Sequence, residues 1–151
     1  MKKILKPAVL STLLVLFASL GSGCSVNRAT ARLVGDADLS SVKTLYVVKF
    51  APDKRDLNEI MADQLTEMGY TATTGDENSI PTGVDAVLTY RDKWMWDMTN
   101  YMIELTITVN DPTNTYALAV GNSYHTSLSR KSPPDMIEEV LTNIFKAEKK
   151  G

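Results

Sequence analysis

Apolar and polar positions split the chain into an amino-terminal run and a longer stretch patterned like a folded domain. Ala8 to Leu20 is 13 residues without a charge, mostly apolar, behind Lys2, Lys3 and Lys6. As a helix it would reach about 20 Å, short of the roughly 30 Å of a bilayer core, so it reads as a processed export signal. Val42 to Phe50 is β-branched and aromatic with apolar residues on both parities, which predicts a strand buried on both faces. Leu57, Ile60, Met61, Leu65 and Met68 then recur at helical spacing, from about Asp53–Asp56 to Met68. Asp56 with Glu59 reads as a capping pair for that helix, and Gly69 as its stop.

Tyr70 to Thr73 predicts a short strand, and Thr74 to Gly83 a loop. Val84 to Trp96 reads as a long strand and Asp97 to Asn100 as a turn. Tyr101 to Asn110 alternates, with Ile103, Leu105, Ile107 and Val109 on one side and Met102, Glu104, Thr106 and Thr108 on the other. Asp111 to Asn114 is a proline-containing turn in which Asn114 suits a left-handed conformation. Thr115 to Thr126 returns antiparallel, and loop length leaves open which of its parities meets the core. Ser132-Pro133-Pro134-Asp135 starts a final helix whose apolar stripe is Met136, Ile137, Val140, Leu141, Ile144 and Phe145. Glu138, Glu139, Thr142, Asn143 and Lys146 are expected to face water. Ser25 to Ser41 reads as a tether, with a short edge strand around Ala31–Val34 as the alternative. The order β-α-β-β-β-β-α predicts an α+β fold: a mixed, mostly antiparallel sheet of about five strands with two helices on one face.

Charge narrows the choice of partner. Removing the three signal lysines leaves 13 basic against 18 acidic residues, a net charge near −5. Such a balance does not suit coating nucleic acid or anionic lipid head groups. Cys24 is the one cysteine, so it has no disulfide partner within the chain.

Ser22, Gly23 and Cys24 resemble the lipobox of bacterial lipoproteins, in which a cysteine after small residues receives a diacylglyceryl group and becomes the mature amino terminus. Gly21 departs from the pattern, since an aliphatic residue is usual there and Leu20 sits one place earlier. The resemblance implies a signal peptide over residues 1–23, a lipidated cysteine and tether over 24–41, and a periplasmic domain over 42–151. It also implies sorting by the residue after the cysteine. Ser25 is not the aspartate that retains such proteins in the inner membrane, which favours the outer membrane. The predicted element order is similar to that of small α+β outer-membrane accessory lipoproteins, a likeness that transfers no functional residue.

Chemistry-bearing motifs are sparse. No phosphate loop, metal-ligand spacing or cofactor motif is present, and Asp36 with Asp38 lacks the rest of a calcium loop. His125 reads as a partly exposed strand-end histidine beside Tyr124, with no partner close in sequence. Trp94 and Trp96 lie two apart, hence on one side of their strand with Tyr90, while Arg91, Lys93 and Met95 take the other. If the helices cover that side the tryptophans are core. If they cover the other, Trp94, Trp96 and Arg91 are a candidate partner surface. The expectation is a non-enzymatic, lipid-anchored envelope protein, an accessory or adaptor for another periplasmic or outer-membrane component. The alternative is a periplasmic ligand-binding or hydrolytic domain around His125, Tyr124 and the acidic loops.

Overall fold

Six strands pair into one mixed sheet in the order β1-β6-β5-β4-β2-β3. They are β1 (Asn27–Leu33), β2 (Thr44–Val48), β3 (Thr71–Gly75), β4 (Ala86–Asp97), β5 (Thr99–Asn110) and β6 (Ala117–His125), with helices α1 (Leu57–Glu67) and α2 (Pro133–Ala147). The computed structural model describes residues 27–147; the residues read as an export signal and lipobox, Cys24 among them, lie outside these. β2 runs parallel to β3 and β4, and every other neighbouring pair is antiparallel.

The fold class is as expected, with one strand more. Asn27–Leu33, read as tether, pairs antiparallel with β6 from Asn27 opposite His125 to Leu33 opposite Ala119. This is the edge-strand alternative, longer and earlier than anticipated. Its sequence alternates: Ala31 and Leu33 pack against the core while Arg28, Thr30 and Arg32 stay exposed. Leu39 and Val42, on the way to β2, are buried as well.

Both helices lie on one face of the sheet. α1 packs on β2 and β3, and α2 on β1, β5 and β6. The core joins Leu45 and Val47, Leu88 and Tyr90, and Leu105, Ile107 and Val109 to Leu57, Met61 and Leu65 of α1 and the predicted apolar stripe of α2. β6 contributes its odd positions, Ala119, Ser123 and His125 being buried, which resolves its parity. The approach of α2 is close: a Cβ on Gly121 would lie 2.7 Å from Val140 Cγ1 and 2.8 Å from Ile144 Cγ1.

Local details depart from expectation at four places. A bulge between Lys93 and Trp94 sets Lys93 opposite Glu104 but Trp94 opposite Met102. The extra residue flips parity, so Met102 rather than Ile103 is fully buried beyond it. Strand pairing continues to Asp97 opposite Thr99, leaving a turn centred on Met98 instead of Asp97–Asn100. In the β5–β6 turn Thr115, not Asn114, takes the left-handed conformation (φ 61°), and the Asn114 side chain accepts the Tyr116 amide. At α1 the cap is not the Asp56–Glu59 pair. Asp56 is left-handed, and the buried Asp53 carboxylate accepts the Arg55 and Leu57 amides at 2.7 Å. Gly69 (φ 97°) does end α1, and Ser132 and Asp135 cap α2 reciprocally.

Leu105→Ala should cost about 2–5 kcal/mol in urea melts, as a large-to-small change in a closed core does. Gly121→Val should cost roughly 1–3 kcal/mol by overpacking against α2. A neutral Gly121→Val would mean that α2 does not sit on β6.

Candidate functional site

The β4–β5 hairpin outruns the rest of the sheet. β6 begins its pairing with β5 at Glu104 opposite Tyr124, so among the described residues the β5 positions before Glu104 and the β4 positions after Lys93 pair only with each other. At this end Trp96 is 73% exposed, Met98 88% and Met95 45%. Met98 turns the chain with φ 59°, a conformation that costs a non-glycine residue local strain. Leu128, in the 3-10 turn Ser127–Ser129 after β6, is 85% exposed. Arg130 ties that turn to the hairpin. Its guanidinium donates to Thr99 Oγ1 at 2.8 Å and Asp97 Oδ2 at 3.2 Å, and lies 4.1 Å over the Tyr101 ring. Four large apolar side chains thus stand exposed at one end of the sheet, on a braced support.

The structure separates the three residues of the candidate surface. Trp94 lies on the helix-covered face opposite Met102, packs against the core, and donates its indole N–H to Asp92. The Arg55 guanidinium lies 3.7 Å from the centre of its ring. Trp96 shares that parity but stands in solvent at the hairpin end. Arg91 lies in the other phase, 4.4 Å over the Phe50 ring, donating to the Tyr90 carbonyl at 2.9 Å. The tryptophans are therefore neither both core nor both surface, because β4 runs past the helices between them.

A polar cluster that sequence reading did not assemble lies between β6 and α2. Glu139 Oε2 accepts Ser123 Oγ at 2.6 Å and His125 Nε2 at 2.8 Å, while Oε1 accepts Lys131 Nζ at 2.6 Å. His125 is buried, 4% exposed, and not a partly exposed strand-end residue, because its parity faces α2. Glu139 is half-buried rather than water-facing for the same reason. The missed signal was small residues at one β6 parity, Ala119, Gly121 and Ser123, which mark a closely seated helix. Facing a carboxylate, which only accepts, Nε2 is the donor of that contact, and among the described residues Nδ1 is buried without a hydrogen-bond partner. Burial pushes the Glu139 carboxyl up, but hydrogen bonds from Lys131, Ser123 and His125 outweigh it and hold it at about 2. Ser123 donates to the carboxylate and not to the imidazole, so the group lacks the relay of a serine nucleophile.

The uncovered face of the sheet holds a cleft of about 430 Å³ near the opposite end, lined by Val48, Phe50, Val87, Thr89 and Asn110 among others. Its polar groups mostly satisfy one another: Asn110 Nδ2 donates to Thr89 Oγ1 and the Val87 carbonyl, and Asp111 accepts from Thr113. At its margin, burial and the Asp53 carboxylate 2.7 Å away push the Tyr90 hydroxyl well up. Among the described residues no group of three or more His, Cys, Asp or Glu could hold a metal ion, and no helix is long and apolar enough to cross a membrane.

No protein-family model and no curated protein matches the chain. Solved structures do. A variant PelC dodecamer from Paraburkholderia phytofirmans superposes with a TM-score of 0.58 at 17% identity, covering 77% of this chain and 97% of PelC. A second PelC dodecamer crystal form gives 0.56 at 12% identity, over 78% and 96%. The domain shares its fold with PelC. TolB from Acinetobacter baumannii matches at a TM-score of 0.45 and 15% identity, covering 76% of this chain and 30% of TolB.

Trp96→Ala should leave stability within about 0.5 kcal/mol of wild type, as exposed substitutions do. Trp94→Ala should cost roughly 1–3 kcal/mol through lost packing, hydrogen bond and cation–π contact. Equal effects in urea melts would contradict the division between them. Glu139 is held below an ordinary glutamate, so its contribution is full above about pH 4.5 and lost as pH falls through about 2. On linkage that contribution is on the order of 3 kcal/mol at neutral pH. Glu139→Gln should be destabilised by a similar order at pH 7, with the gap to wild type closing between pH 4.5 and 2. A pH-independent gap would show that the carboxylate charge is not what holds the cluster.

Proposed function

We propose that the protein is a non-enzymatic envelope lipoprotein, anchored to the outer membrane through Cys24. There it serves as an accessory or adaptor for another periplasmic or outer-membrane component. The observation that carries this reading is the spacing between signal and fold. Cys24 follows the export run and small residues, and Asn27, three residues later, is already paired in the sheet. An anchor there would hold the folded domain directly at the membrane. The PelC fold supports an envelope setting, and the dodecameric state of PelC makes a second copy of this chain one candidate component.

The domain offers surfaces for such a role. Among the described residues one sheet face carries no helix, and β1 and β3 form the two edges of the sheet, where a partner strand could add. The adaptor reading is also favoured over hydrolysis by the buried, carboxylate-bound states of Ser123 and His125.

Acyl chains at Cys24 would anchor the chain by about 0.8 kcal/mol per buried methylene, enough for stable attachment with two or more. Wild type should therefore fractionate with the outer membrane, and its amino-terminal peptide should carry acyl mass. Cys24→Ala should be released or left unprocessed. Wild type recovered as an unmodified soluble species would overturn the anchor. Cross-linking in intact cells should give a defined adduct, its mass separating a second copy from another component. No adduct from the anchored protein would count against the adaptor role.

A further inference from the structure

The exposed apolar side chains at the hairpin end have a direction, and the start of β1 gives it meaning. Asn27 pairs with His125, and its side chain contacts Ser129 of the 3-10 turn that carries Leu128. The first described residue therefore lies at the same end of the sheet as the hairpin tip. Asn27 is one position beyond the Tyr124–Glu104 pair, whereas β4 continues from Lys93 to Asp97 beyond that same pair. The hairpin thus overshoots Asn27 by three strand positions, roughly 10 Å. The three steps from Asn27 back to Cys24 span at most about 10 Å of extended chain. An anchor at Cys24 would therefore have the length to reach the plane of the tip.

The distribution of the side chains favours a lipid occupant. Trp96 and Met95 project from opposite faces of a two-stranded ribbon, Met98 stands at its turn, and Leu128 stands beside it. A protein docking on one face would leave the other apolar side in water. A bilayer interface surrounds the whole tip, and tryptophan is the side chain that settles at that depth. Asp97, next to the turn, has its charge paired with Arg130, which lowers the cost of bringing the ribbon to lipid. Placing methionine at a left-handed turn position, where glycine or asparagine would be unstrained, keeps an apolar side chain at the point of furthest reach.

We infer that the β4–β5 tip, with Trp96, Met95 and Met98, and neighbouring Leu128 form a second membrane contact, seated in the bilayer interface beside the lipid anchor. The inference rests on the Cys24 anchor proposed above. It fixes the domain's orientation, with the β5–β6 turn and the cleft of the uncovered face pointing away from the membrane.

The test uses the full chain, processed in cells, purified and reconstituted in phosphatidylethanolamine–phosphatidylglycerol vesicles with either ordinary or brominated acyl chains. Brominated lipid should quench wild-type tryptophan emission, and Trp96→Phe should lose that quenching, since Trp94 is held in the domain. The exposed Trp96 should be replaceable without change in the melting curve, so a shifted melt with retained quenching would count against the assignment. Protein that floats with the vesicles and carries acyl mass, yet shows no quenching, overturns the inference while leaving the anchor intact. An amino-terminal peptide without acyl mass overturns the anchor and, with it, the shared plane. A concentration-dependent blue shift of emission in lipid-free detergent, lost in Trp96→Phe, would instead assign the tip to a second copy of the chain and overturn the lipid assignment.

Discussion

One-sided cover of the sheet is the constraint on which the rest of the molecule depends. α2 can pack on β6 only because Gly121 has no side chain where Val140 and Ile144 press in. That approach buries the odd positions of β6 with those of β5 and makes β1 an integral edge strand through Ala31 and Leu33. It also decides what stays outside. Among the described residues the opposite face has no helix, and the hairpin, longer than β6, carries Trp96 beyond the cover that Trp94 receives. Each exposed or buried polar feature discussed above is a consequence of where that cover stops.

The same constraint explains the buried cluster around Glu139. A histidine and a serine on the helix-facing parity of β6 need polar partners, since burying them unpaired is costly. Glu139, on the flank of the α2 stripe, supplies one carboxylate to both and draws Lys131 to its other oxygen. The arrangement fastens the start of α2 to the end of β6. That junction also carries Arg130, whose contacts to Asp97, Thr99 and Tyr101 brace the hairpin. Helix seating and tip position are therefore linked through consecutive residues, Arg130 and Lys131.

Most of the architecture was legible as periodicity. The alternation of Leu105, Ile107 and Val109, the 3–4 spacing in both helices, the Gly69 stop and the Ser132–Asp135 cap all appear in the structure. What stayed hidden depended on contacts distant in sequence. The β1 strand is short and polar on one side, and only pairing with β6 stabilises it. The bulge at Lys93/Trp94 reverses the side of Met102 against Ile103, which no alternation count reveals. Glu139 and His125 are 14 residues apart and meet only across the helix–sheet interface. Of the three residues of the candidate surface, Arg91 and Trp94 are engaged within the domain while Trp96 is exposed, a division that depends on where the helices end and not on alternation along β4.

Held by the proposed anchor at Cys24, a domain with an apolar hairpin at its Asn27 end and its cleft at the other would have a defined orientation at a membrane. Spin labels on the chain processed in cells test this most directly, one at Met98→Cys and one at Thr113→Cys in the opposite turn, the proposed acyl group at Cys24 leaving those two thiols to take the label. On vesicles, the label at position 98 should be accessible to oxygen and shielded from a water-soluble nickel chelate, while the label at position 113 shows the reverse. Equal exposure of both labels to the nickel chelate would contradict the account.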